Sequence, residues 1–157
     1  MLALRKGPDA IPSSSLVLTL SIVMLLGSSV FAALSIETMR SQNHLLTFSG
    51  YALGLLFYGG VLFVSGYAGR MLQTLSAIVA CGALITTMYV VAFLLLEPLF
   101  GRELAGIAGL LILFWSVPVE GHIIARAIQQ HRLVGITIAV VAIILQLGFQ
   151  SAFAVHA

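Results

Sequence analysis

Residues 72–124 read LQTLSAIVACGALITTMYVVAFLLLEPLFGRELAGIAGLLILFWSVPVEGHII, and this stretch decides the fold. Leu72 to Leu96 is apolar and carries no charge until Glu97-Pro98. Gly101-Arg102-Glu103 follows, and a second apolar run extends from Leu104 to Ile124. At about 1.5 Å rise per residue, either run as a helix reaches across the ~30 Å hydrocarbon core of a bilayer. The charged, glycine- and proline-bearing break between them reads as a short connection between two crossings. Pro118, Glu120, Gly121 and His122 interrupt the second run. Leu104 to Val117 alone is too short to span comfortably, so the expectation is a crossing over 104–124, with a re-entrant or interfacial segment around Pro118 as the alternative.

Three more apolar runs flank this stretch. They cover 15–36, 45–67 and 133–155. The expected fold is therefore all-α: a polytopic membrane bundle with helices at about 15–36, 45–67, 72–96, 104–124 and 133–155. Residues 1–14 form a short cytoplasmic segment, and 15–157 form one transmembrane domain. Helices are the open-ended structures that can cross lipid, because lipid offers backbone groups no hydrogen-bond partners. The short alternating segments of a barrel are absent. A four-helix bundle results if the Pro118 region is re-entrant. It also results if the first run is a signal peptide cut at the acceptable pattern Val30-Phe31-Ala32, although that run exceeds the usual 7–15-residue apolar region.

Composition agrees with this outline. Of 157 residues, 61% are hydrophobic and 8% charged, against about 25% charged in a typical soluble domain. Mean hydropathy is +1.15. Such a chain is not a soluble enzyme, a disordered tail or a free nucleic-acid-binding domain. Seven Lys/Arg face five Asp/Glu, but the basic residues are scattered and build no phosphate-binding patch, so no nucleic-acid partner is expected. Their use is topological. With five helices, Arg5, Lys6, Arg70, Arg126 and Arg132 fall on one side, and Arg40 and Arg102 on the other. That places the N-terminus in the cytoplasm and the C-terminus outside, across an inner (cytoplasmic) membrane. Cys81 has no CxxC partner and reads as a small buried packing residue.

Small residues mark candidate helix-packing faces. Gly50 and Gly54 form a GxxxG, and Ser76 with Ala80 and Ala105 with Gly109 form small-xxx-small pairs. Such faces let helix backbones approach closely, within one chain or between copies.

Polar groups inside apolar runs are the candidates for chemistry, because each costs free energy to keep there. Glu120 lies about 7–8 Å from the middle of its run, and Ser116 shares its face at i−4. His122 lies about 200° around a continuous helix from Glu120 and pairs in spacing with Arg126. Only a break at Pro118–Gly121 would bring Glu120 and His122 together. Gln146 and Gln150 are an i,i+4 pair on the last run. With Gly135, Ala139 and Ala142, Gln146 completes a small-to-polar stripe that should face the bundle. Glu120 reads either as a proton- or cation-handling carboxylate or as an interfacial group reaching headgroup water. Gln146 and Gln150 read either as interhelical hydrogen-bonding groups or as the lining of a polar path. Thr86-Thr87 could partner them or bond their own i−4 carbonyls. No metal is expected, since His44, His122, His131 and His156 are scattered and zinc spacing is missing. No cofactor or catalytic motif is found, because HExxH, GxSxG, the P-loop and GxGxxG are absent.

The stretch Gly66-Tyr67-Ala68-Gly69-Arg70-Met71-Leu72-Gln73-Thr74-Leu75-Ser76-Ala77, then Trp115, Ala125-Arg126-Ala127 and a last apolar run, resembles the YIP family, named for interaction with Ypt/Rab GTPases, and its bacterial relatives. The resemblance covers about Leu45 to Val155. It implies an architecture of about five membrane helices and carries no functional residues. The long soluble N-terminal segment of the eukaryotic members has no counterpart here, which argues against a GTPase-linked role. The start, Arg5 to Ser14, is also similar to that of small bacterial inner-membrane proteins.

The leading functional expectation is a non-enzymatic scaffold, assembly or membrane-organising protein. Its partners would be the lipid bilayer, other membrane proteins or further copies of itself. The alternative is a transporter or channel-like protein for a proton, ion or small polar solute, using Glu120 and Gln146.

Overall fold

Each apolar run becomes a helix bounded by local chemistry. The computed structural model describes residues 14–37 and 43–154. Helix α1 is Ser15–Ser35, and the Ser14 side chain accepts from Leu16 N–H at its start. Helix α2 is His44–Val64, capped by Asn43, whose side chain accepts from Leu46 N–H. It ends three residues before the expected Tyr67. There Gly66 takes φ 81°, and Tyr67 N–H bonds back to Leu62 O at 2.8 Å. That left-handed closure satisfies the last carbonyls of α2, and glycine adopts it without a Cβ penalty. A 3-10 turn, Ala68–Arg70, leads into helix α3, Met71–Phe114. Helix α4 is Ser116–Ala127 and helix α5 is Arg132–Ala154. Arg5, Lys6, Arg40, most of the expected N-terminal segment and Val155 lie outside the described residues.

The described residues are all-helical, without strands. Among the described residues, four helices are long and apolar enough to cross a membrane: Ser15–Ser35, His44–Val64, Ala68–Ala127 and Arg132–Phe153. The expected count of five is not reached by length and composition, because the runs 72–96 and 104–124 lie within one helical stretch. Two features merge them. Helix α3 does not stop at Glu97-Pro98, as expected, but continues through Pro98. The stretch around Pro118 also stays helical. Trp115 stays near helical geometry (φ −66°, ψ −19°), and Pro118 sits in the first turn of α4, where a missing N–H costs little.

The 60-residue stretch is not one straight rod. Such a rod would be about 90 Å long. Gly101 has φ 82° and ψ 165°, far outside helical geometry, and the chain reverses there. Tyr89 and Gly109 would be about 30 Å apart along a straight helix, yet a Cβ on Gly109 would enter the Tyr89 ring. Ala105 packs with Val90 and Phe93 in one buried cluster, together with Ala32 and Ile36 of α1. The limb after Gly101 therefore runs antiparallel to the limb before it, and α1 packs along the pair. Ala32, in the expected cleavage pattern, is buried within that cluster.

The main core joins the remaining helices. Tyr58 and Leu62 of α2, Ala77, Ile78, Cys81 and Ile85 of α3, Val119, Ile123 and Ile124 of α4, and Ala142 of α5 form one buried cluster. Helices α4 and α5 meet most closely at Gly121 and Gly135. A Cβ on Gly121 would lie 2.7 Å from Ile136 Cα, and one on Gly135 would collide with Gly121 O. At one end of the bundle, Arg70 Nη1 donates to Ala127 O at 3.4 Å, and Tyr67 Oη donates to Gln129 Oε1 at 3.3 Å. The turns 65–70 and 128–131 therefore lie together. Outside the core the surface is apolar: Leu20, Val23, Leu56, Leu111, Phe114, Ile144 and Leu147 are among its exposed side chains. A continuous apolar exterior of this kind, on helices of this length, points to a membrane location.

Candidate functional site

Polar side chains of three helices converge in the bundle. On α2, positions 51, 54, 55 and 58 share one face at helical spacing. Gly50 and Gly54 of that face sit under α5. A Cβ on Gly50 would come within 2.7 Å of Gln150 Nε2, and one on Gly54 would overlap Gln146 Nε2. The GxxxG thus makes room for two amide side chains rather than for another helix backbone. The pairing of 50 with 150 and 54 with 146 shows that α2 and α5 run antiparallel. The stripe beneath Gln146 is buried: Ala139 and Ala142 are fully covered, and Gly135 is buried against α4.

Glu120 reaches the same place from α4. Tyr58 Oη donates to Glu120 Oε2 at 2.6 Å. Tyr58 is 1% exposed and its ring meets Phe57 edge-on. At this distance the contact is a short O–H···O hydrogen bond. Glu120 and Gln146 both line two cavities. One, of about 50 Å³, is also bounded by Leu25, Tyr51, Gly54, Tyr58 and Gly82. The other, of about 340 Å³, is also bounded by Tyr51, Gly82, Thr86, Ser116 and Phe114. Tyr51, Gly82, Glu120 and Gln146 are common to both, so the cavities meet at the carboxylate. Among the described residues, Glu120 is the one charged side chain lining either of them. Ser116 shares the larger cavity with Glu120, as their spacing implies.

His122 does not join this cluster. It is 2% exposed, lies on the other side of α4, and lines neither cavity. The helix is continuous from Ser116 to Ala127, so nothing rotates His122 toward Glu120. Arg126 is exposed. Thr87 bonds its own i−4 carbonyl, Ala83 O, at 2.9 Å, whereas Thr86 lines the larger cavity. Ser76 is buried, with no hydrogen-bond partner for its Oγ among the described residues, and Ala80 is half-buried. Ala105 and Gly109 pack within the chain, against Val90, Phe93 and Tyr89.

Tyr51 and Tyr58 were not among the sequence candidates. Their signal was present: two tyrosines seven residues apart share the helix face of Gly54. Tyrosine is common at membrane interfaces, so its place in the core shows only once α4 is set beside α2. Among the described residues, no group of three or more His, Cys, Asp or Glu side chains could hold a metal ion. No protein-family model matches the chain, and no curated protein or solved structure matches it.

Proposed function

We propose that this chain crosses the membrane five times and handles a proton or small cation at Glu120. The observation that carries the reading is the 2.6 Å Tyr58–Glu120 hydrogen bond at the junction of two cavities. A carboxyl group inside a bilayer-spanning bundle costs free energy to keep there, which marks it as a candidate for function. The smaller cavity has room for a few water-sized species, since each needs about 10–15 Å³ by this measure. That size suits a proton carried on ordered water, or a single cation held by Glu120, the Gln146 carbonyl and tyrosine oxygens.

The fivefold crossing rests on the reversal at Gly101. The limbs 71–100 and 102–127 each have the length of a crossing, and they run in opposite directions. The turns 65–70 and 128–131, joined by the Arg70 and Tyr67 hydrogen bonds, then share one face with Arg126 and Arg132. Positive residues favour the cytoplasm, which puts the N-terminus inside and the C-terminus outside an inner membrane.

The scaffold reading has less support. Its small-residue faces are occupied within the chain: Gly50 and Gly54 by Gln150 and Gln146, and Gly109 by Tyr89. The test is proton and monovalent-cation flux into proteoliposomes containing the wild-type chain or Glu120→Gln. Flux that needs the chain and is lost in the variant, with folding intact, supports the reading. Flux equal in the two rules out a transport role for the carboxylate.

A further inference from the structure

The larger cavity says what else can reach Glu120. It lies between α3, the limb after Gly101, α4 and α5. Its rim is made of side chains that face outward: Leu110 is 55% exposed, Phe114 69% and Leu147 60%. Phe114 is near the middle of the helical stretch 102–127, and Leu147 is about 6 Å past the middle of α5, two turns short of its end. The mouth therefore opens sideways at mid-helix, into the region where lipid chains lie, and away from either end of the bundle. Its walls are apolar, with Ile85, Leu113, Val117 and Ile143 behind the rim. Its floor is polar, made of Tyr51, Thr86, Ser116, Gln146 and the single carboxylate of Glu120. A volume of about 340 Å³ is at the lower end of ordinary small-molecule pockets.

We infer that this cavity is a lateral binding site for a lipophilic organic cation, a molecule with a hydrocarbon body and a protonated amine or ammonium head. Only a membrane-soluble molecule meets a mouth at that depth. Only a head that donates hydrogen bonds or carries positive charge complements a carboxylate that is the one charged group among the described residues lining the cavity. The Tyr51 ring at the floor can add a cation–π contact. The body lies along Leu113, Phe114 and Leu147, and the head reaches Glu120 and Gln146. This inference rests on the reading of Glu120 as a functional carboxylate and gives that site a class of organic ligand.

The experiment is photolabelling of the reconstituted full chain with a decylammonium probe bearing a diazirine at the end of its alkyl chain. Labelled residues are mapped by mass spectrometry. Competition by unlabelled decylammonium is compared with competition by decanol, the neutral analogue. The expected result is labelling within 110–117 and 143–147. Decylammonium should compete at least about tenfold better than decanol, the size expected for one hydrogen bond to a charged group. Specific labelling should be lost in Glu120→Gln and kept in Glu120→Asp, which retains the charge. Labelling elsewhere, equal competition by decanol, or labelling unchanged in Glu120→Gln overturns the inference. Glu120-dependent proton flux together with Glu120-independent labelling overturns this inference alone. Glu120-dependent labelling with flux unchanged in Glu120→Gln overturns the transport reading alone.

Discussion

Replacing Tyr58 by Phe removes one oxygen and, on this structure, one hydrogen bond. The ring keeps its buried position and its edge contact with Phe57, so packing is nearly unchanged. What is lost is the 2.6 Å donor to Glu120 Oε2. In water-soluble proteins a hydrogen bond to a charged group contributes about 1.5–3 kcal/mol. Within a bilayer the unfolded chain also finds partners, and measured interhelical bonds average about 0.6 kcal/mol, with a maximum near 1.7. The bond here is short and its acceptor is a carboxylate, so the expected value is the upper part of that range, about 1–1.5 kcal/mol. A double-mutant cycle with Tyr58→Phe and Glu120→Ala, which leaves no side-chain acceptor, isolates it. Stability is measured by reversible unfolding from mixed micelles. The expected coupling is about 1–1.5 kcal/mol, with each single variant destabilised and the double variant losing little more than either. Coupling below about 0.3 kcal/mol would refute the bond as a structural link between α2 and α4.

Three further substitutions probe other joints of the fold. Gly101→Ala forces a Cβ into φ 82° and should destabilise the chain by about 1–2 kcal/mol in the same unfolding assay, while Gly106→Ala, where a Cβ meets open space, should change little. Gly121→Leu pushes a side chain into the backbone of Ile136; it should cost upwards of about 1–3 kcal/mol and lower the yield of folded protein on size-exclusion chromatography. Gly54→Ala meets only the movable end of Gln146, so stability should fall by less than for Gly121→Leu, while Glu120-dependent flux falls because the amide is displaced from the site.

The helices were legible because hydropathy and length act locally. Each apolar run is set by its own residues, and the ends follow from Asn43, Gly66 and the Arg132 start. The count was harder to read, because it depends on whether a break ends a helix. Pro98 is a strong breaker by residue type, yet the helix passes through it, and the reversal falls three residues later at Gly101, whose φ a sequence does not display. Pro118 likewise looked disruptive but occupies a first turn, where its missing donor is harmless. Within the site, Glu120, Gln146 and Gln150 stood out because polar groups in apolar runs are costly. The meeting of Glu120 and Gln146 with Tyr51, and of Glu120 with Tyr58, did not stand out, because it depends on which helices are neighbours. His122 was distinguishable by angle alone: 3.6-residue periodicity already separates it from Glu120, and the unbroken helix keeps it apart.

All of this depends on the chain crossing back between Gly101 and the turn at Gln129, which carries Glu120 into the membrane beside Tyr58. The direct measurement is thiol accessibility at the two ends of that limb, with Phe100→Cys and Gln129→Cys placed at exposed positions and Cys81 buried in the core. A membrane-impermeant maleimide is added to intact cells and to inside-out vesicles. The account predicts that position 100 is labelled in intact cells and position 129 in inside-out vesicles. Labelling of both positions from the same side would contradict it.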